Sequence, residues 1–169
     1  MPRPVSIYRP NNDPAKGSAY QFHSGTRKRD GVPVLYAEAA NQTGPKPAPG
    51  SKESPFDWDN KIRIMLNVDE LGEVVASIDG LHRKQVKFIH KSERDGVEVV
   101  SSFELTPPTT EEGIKYGNWG LNLTITKSGE KNTVRGFIAP ASLVQFKAIA
   151  MLVINKYLSQ EIQYATKSV

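Results

Sequence analysis

The chain has no cysteine. That removes a disulfide framework, a thiolate zinc centre and a thiol nucleophile together. Histidine is scarce, and His23, His82 and His90 do not show metal-ligand spacing. There is no GxxxxGK[ST] phosphate loop, no GxSxG elbow and no HExxH helix. Asp57 and Asp59 alternate along an extended segment and could share a face, as the metal ligands of some nucleases do, but a third acid and a positioned base are missing. The expectation is a protein without catalysis, metal or cofactor. No apolar run reaches the roughly 20 residues that a membrane span needs. The N-terminal segment, with Pro2, Pro4, Pro10 and Pro14, lacks the apolar centre of a secretory signal and is too rich in proline for an amphipathic transit helix. These features predict a soluble intracellular protein with no membrane partner, or an organellar one if a targeting peptide has been removed.

What is present suits one domain with a real hydrophobic core: 169 residues, 22 Lys and Arg against 18 Asp and Glu, and a pI near 9.2. The basic surplus favours polyanionic partners without specifying one. Residues 1–15 read as an extended arm with little regular structure. "GSAYQFHS" and "VPVLYAEAANQ" read as two strands around a basic turn, "TRKRDG". Residues 43–55, "TGPKPAPGSKESP", can hold neither a ladder nor a helix and read as a flexible loop within the domain of residues 16–160. In "KIRIMLNV" Ile62, Ile64, Leu66 and Val68 alternate with Lys61, Arg63 and Asn67, giving one buried and one cationic face. "NVDELGEVVASIDG" then carries a helical stripe, capped by Asn67 or Asp69 and closed by Gly80. Four strands follow, "QVKFIHK", "VEVVSSFEL", "WGLNLTITK" and "NTVRGFIAP", the middle pair separated by a loop, "TPPTTEEGIKYGN". The short, turn-rich connections predict an α+β fold with antiparallel sheets.

The last element, residues 142–155, "SLVQFKAIAMLVIN", has ten apolar residues in fourteen, spread around the helix. Ser142 and Gln145 form a capping-box pattern for a helix from Leu143 to beyond Leu158, with residues 161–169 as a tail. A helix apolar all round needs cover on both sides. One side can lie on the domain's own sheets. The rest, carried by Leu143, Phe146, Ile149, Met151, Leu152 and Ile154, would be buried against the same helix of other copies in a symmetric oligomer. The alternative is a central helix wrapped by one chain's sheets.

Several stretches resemble the Whirly single-stranded DNA-binding proteins and, more distantly, the kinetoplastid guide-RNA-binding proteins of the same fold. "KGSAY" is similar to the opening of the first Whirly strand, "FDWDNKIRIMLNVDELGEVVA" to the aromatic-Asp-Trp segment with its strand and helix, and "FIAPASLVQFKAIAMLVINKYL" to the last strand and C-terminal helix. The resemblance implies two four-stranded antiparallel sheets packed crosswise, a tetramer with the long helices at its core, and single-stranded DNA lying along the sheets with little sequence preference. Lys16-Gly17-Ser18 departs from the Lys-Gly-Lys of the plant proteins, and the bare N-terminus fits a bacterial or phage-encoded relative acting in the cytoplasm.

Sequence-independent single-strand binding needs cations for phosphates and aromatic platforms for bases. The candidate cations are Lys16, Arg27, Lys28, Arg29, Lys61, Arg63, Lys87 and Arg135. The candidate platforms are Tyr20, Phe22, Trp58, Tyr116 and Trp119, each of which could instead be core. Trp58 stands out because Asp57 and Asp59 beside it suggest a rim. The "TRKR" tip is either a phosphate contact or an idle solubilising turn. RNA binding or annealing is the alternative within nucleic-acid recognition, and an oligomeric scaffold is the alternative outside it.

Overall fold

The computed structural model describes residues 3–82 and 84–167. Pro2 of the expected arm and residues 168–169 of the expected tail lie outside them. Strands β1 (Val5–Arg9), β2 (Ser18–Thr26), β3 (Pro33–Asn41) and β4 (Ile62–Leu66) form one antiparallel sheet in that order. Helix α1 (Val68–Ile78) leads to the second, in which β5 (Val86–Arg94), β6 (Val97–Thr106), β7 (Trp119–Lys127) and β8 (Glu130–Ile138) again pair in chain order. A short helix α2 (Glu111–Tyr116) bridges β6 and β7, and α3 (Pro140–Lys167) ends the chain.

Period-two alternation selects the buried faces. Tyr20, Phe22, Leu35, Ala37, Ala39, Ile62, Ile64 and Leu66 of the first sheet meet Phe103, Leu105, Leu121, Leu123, Val134 and Ile138 of the second in one core. Strand β4 touches β6, β7 and β8, while β8 touches β2, β3 and β4, so the sheets cross rather than run alongside each other. At the crossing the buried Tyr20 hydroxyl donates to the Leu121 carbonyl at 2.9 Å, and burial pushes its phenol well above the usual range. A Cβ at position 136 would sit 2.8 Å from that hydroxyl and 2.4 Å from the Ser18 hydroxyl, which is why β8 carries Gly136 there. The β5–β6 and β7–β8 hairpins turn on Asp95-Gly96 and Ser128-Gly129, with positive φ at both residues of each pair, as two-residue turns demand.

Both helix starts follow from local chemistry. Asn67 accepts from the Glu70 amide and Glu70 returns a bond to the Asn67 amide, a complete capping box. Helix α3 starts at Pro140 rather than being capped by Ser142: the Leu143 amide already bonds the Ala139 carbonyl at 2.8 Å, and proline suits a first helical position because its missing N–H would have no intrahelical partner. Leu143, Phe146, Ile149, Ala150 and Val153 form its buried stripe, and the Phe146 ring packs 4.4 Å from Phe22.

Three expectations of element order need correcting. The arm holds strand β1, an edge strand flanked by Pro4 and Pro10, and a 3-10 turn at Pro14–Lys16; edge position tolerates the flanking prolines. The loop after β6 contains α2, capped by Thr110, whose hydroxyl accepts from the Gly113 amide at 3.0 Å. The tail from residue 161 continues α3 to Lys167.

Candidate nucleic-acid interface

With the core faces turned inward, the two sheets present outer faces on opposite sides of the body. On the first sheet that face is organised along β3. Trp58 packs over Ala19, Ala40 and Phe56, and Tyr8 stands against it, with ring centroids 6.3 Å from Trp58 and 6.1 Å from Phe56. Residues 43–55 fold over this end, their backbone fixed by Thr43 and Gly44 amides donating to the Pro55 carbonyl and by the Gln42–Phe56 bridge.

Two residues along β3 from Ala40 comes Glu38, a carboxylate only 4% exposed. Lys61 donates to it at 3.1 Å, the Arg63 Nε lies 3.5 Å away and the His23 Nε2 3.7 Å away. The next outward residue, Tyr36, carries the Arg63 guanidinium 4.0 Å above its ring centre. The row therefore reads aromatic, cation pair, aromatic over about 14 Å of strand. Glu38 lies beneath the cations, not among them, and the exposed acid Asp59 stands beside Trp58 at the far end.

At the β2–β3 tip, Arg27 Nε donates to Asp30 at 2.8 Å, and this bond lowers the Asp30 carboxyl to about 2. Arg27 thus braces the turn, while Lys28 and Arg29 point outward, Arg29 lying 3.6 Å from Asp30. Lys16 is exposed on its 3-10 turn, 3.6 Å from Asp13. On the second sheet's outer face, Lys87 pairs with Glu104 at 3.3 Å, Asn122 donates to Glu104 at 3.0 Å, and Arg135 is exposed. Tyr116 is exposed at the end of α2.

The remaining sequence candidates are not on these surfaces. Tyr20 and Phe22 are fully buried, because they share the inward phase of β2 with no room for a base. Trp119 takes the inward phase of β7 with Leu121 and Leu123 and packs half-buried against the core. Among the proposed oligomer contacts, Phe146 is wholly enclosed by its own chain, and Leu143 and Ile149 nearly so, since α1, the first sheet and Phe103 of the second cover that stripe of α3. Met151, Leu152 and Ile154 remain partly or fully open, and the exposed apolar set also includes Val144, Leu158 and Ile162. Sequence reasoning missed Tyr8, Tyr36 and Phe137. The alternation Val134, Gly136, Ile138 inward would have turned Phe137 out. Among the described residues no group of three or more His, Asp or Glu is placed to hold a metal ion, and Asp57 instead accepts from the Asn60 amide and side chain.

At the level of sequence, neither a protein-family profile nor a curated protein matches the chain. Solved structures do. WHY3 from Arabidopsis thaliana superposes with a TM-score of 0.67 at 16% identity, covering 100% of this chain and 98% of that one. The plant transcriptional regulator PBF-2 gives 0.66 at 14% identity over 98% of this chain and 89% of its own. A guide-RNA-binding protein complex bound to a guide RNA gives 0.54 at 13% identity over 98% and 93%. Agreement over the whole length of both chains means that this sequence folds as a Whirly protein does.

Proposed function

We propose that the chain is a non-catalytic protein that binds single-stranded DNA with little sequence preference, working as a homo-oligomer, a tetramer, built on the open side of α3. It would protect or organise exposed strands in replication, recombination or repair, in the cytoplasm of a bacterial or phage-infected cell. The observation that carries this reading is the row on β3: Trp58 with Tyr8, then Lys61 and Arg63, then Tyr36. Rings and cations alternate on an open sheet, an arrangement that accepts stacked bases and phosphates of any sequence. A duplex keeps its base faces inside the stack, so only an unpaired strand can use the rings. The solved relatives of the fold include a guide-RNA-binding complex, which supports RNA as the second reading.

Fluorescence-anisotropy titration of labelled oligo-dT, a matched single-stranded RNA and a matched duplex, at two salt concentrations, tests this reading. Tight, salt-sensitive binding to oligo-dT with weak duplex binding is expected; preference for the RNA would select the second reading, and binding to none of the three would sink both. Trp58→Ala should weaken oligo-dT binding by about 1–3 kcal/mol with the assembly intact. Equal affinity in the variant would remove Trp58 from the interface.

A further inference from the structure

We infer a second nucleobase site, on the face opposite the β3 row: a slot between Tyr116 and Phe137, floored by Gly120. The inference rests on the single-strand reading and extends it to the other sheet. Phe137 is 58% exposed and Tyr116 55% exposed, and both line one groove with Pro107, Pro108, Asn118 and Gly120. Core packing does not account for either ring. Phe137 takes the outward phase of β8 between the buried Val134 and Ile138, and its cross-strand partner is Gly120, which offers no side chain to pack against.

The bare floor is not imposed by the backbone. A Cβ at Gly120 would meet only ordinary contacts, the nearest being the Thr106 Cβ at 3.5 Å. Strand interiors favour β-branched residues over glycine, so a side chain could fill the slot without strain. Its absence leaves a space walled by two aromatic rings and by proline, the shape that a flat aromatic ligand enters.

The charge around the slot selects the ligand. Glu112 lines the α2 side of the groove, and the cations lie on the β8 side: Arg135, two residues from Phe137 on the same face, makes no ion pair among the described residues, and Lys131 follows two pairs further along the edge strand. Cations in line with an open aromatic slot fit a base with its phosphates running along β8. The Asn118 side chain and the Thr106 hydroxyl can meet a base edge without selecting one base. The chain would then grip nucleic acid on both sides of its body, through β3 on one sheet and β8 on the other.

Three substitutions and one crosslink test the slot. Phe137→Ala should weaken oligo-dT binding roughly five- to hundredfold, with thermal stability unchanged because the ring is exposed. Gly120→Val should hold or raise stability and weaken binding comparably, an outcome that a purely structural glycine would not produce. Phe137→Trp should retain binding. Irradiation of an oligo-dT containing 5-iodouracil should give adducts on Tyr116 or Phe137. If Trp58→Ala weakens binding while Phe137→Ala and Gly120→Val do not, and no adduct maps to the groove, the slot is overturned and the β3 row stands. If the wild-type protein binds no oligonucleotide, the single-strand reading itself has failed.

Discussion

Glu38 sets the electrostatic character of the β3 row. A buried carboxylate beneath Lys61, Arg63 and His23 holds those side chains in place and cancels part of the charge of Lys61 and Arg63. Its neighbours are half exposed, so they can turn to solvent if it is neutralised, and the fold should tolerate the change. Glu38→Gln should therefore tighten oligo-dT binding at low salt and steepen the dependence of log K on log salt by about 0.7 for each phosphate newly engaged. An unchanged slope and affinity would show that Lys61 and Arg63 do not touch phosphate. Such a hub was not legible in the sequence, because the cations of β4 and the acid of β3 are separated by the whole 43–55 loop. The cationic face of β4 was legible, since alternation alone produces it. Tyr20 and Phe22 were misplaced for a related reason. Period two separates two faces but does not say which is inside, and only the paired sheet settled it.

At the scale of elements, α3 carries two different apolar faces. One, with Phe146 against Phe22 and Phe103, belongs to the chain's own core. The other, with Val144, Leu152, Leu158 and Ile162, is open. The two should respond differently to substitution. Phe146→Ala should lower stability to chemical denaturation by about 3–5 kcal/mol. Leu152→Glu with Leu158→Glu should leave the fold intact and reduce the sedimentation coefficient, since charge would enter a desolvated helix cluster. An unchanged coefficient would refute assembly through α3. The sequence announced an over-apolar helix correctly but could not divide its faces, because apolar residues occupy nearly every phase. Elements with weak local signals were lost altogether: β1 lies between prolines and gains its hydrogen bonds only from β2, and α2 is short enough to depend on the Thr110 cap.

For the whole molecule, the two binding faces proposed above would make strand length a variable. Short oligonucleotides should engage one face, and longer ones both, so the salt slope should grow with length and then level off. A slope independent of length from the shortest binding oligonucleotide upward would leave a single face in use. The order in which the fold is assembled along the chain carries a separate consequence. Each sheet is a meander of sequence neighbours and can pair as it emerges during synthesis, yet the second sheet covers only part of the first sheet's inner face, and the rest is covered by α3, the last element made. Until residue 146 has left the ribosome, Phe22 lacks the ring it stacks on. A chain stalled or cleaved before Pro140 would have both sheets but leave bare the apolar surface around Phe22 and Phe103 that Phe146 covers, the form of this protein most prone to aggregate and most in need of a chaperone.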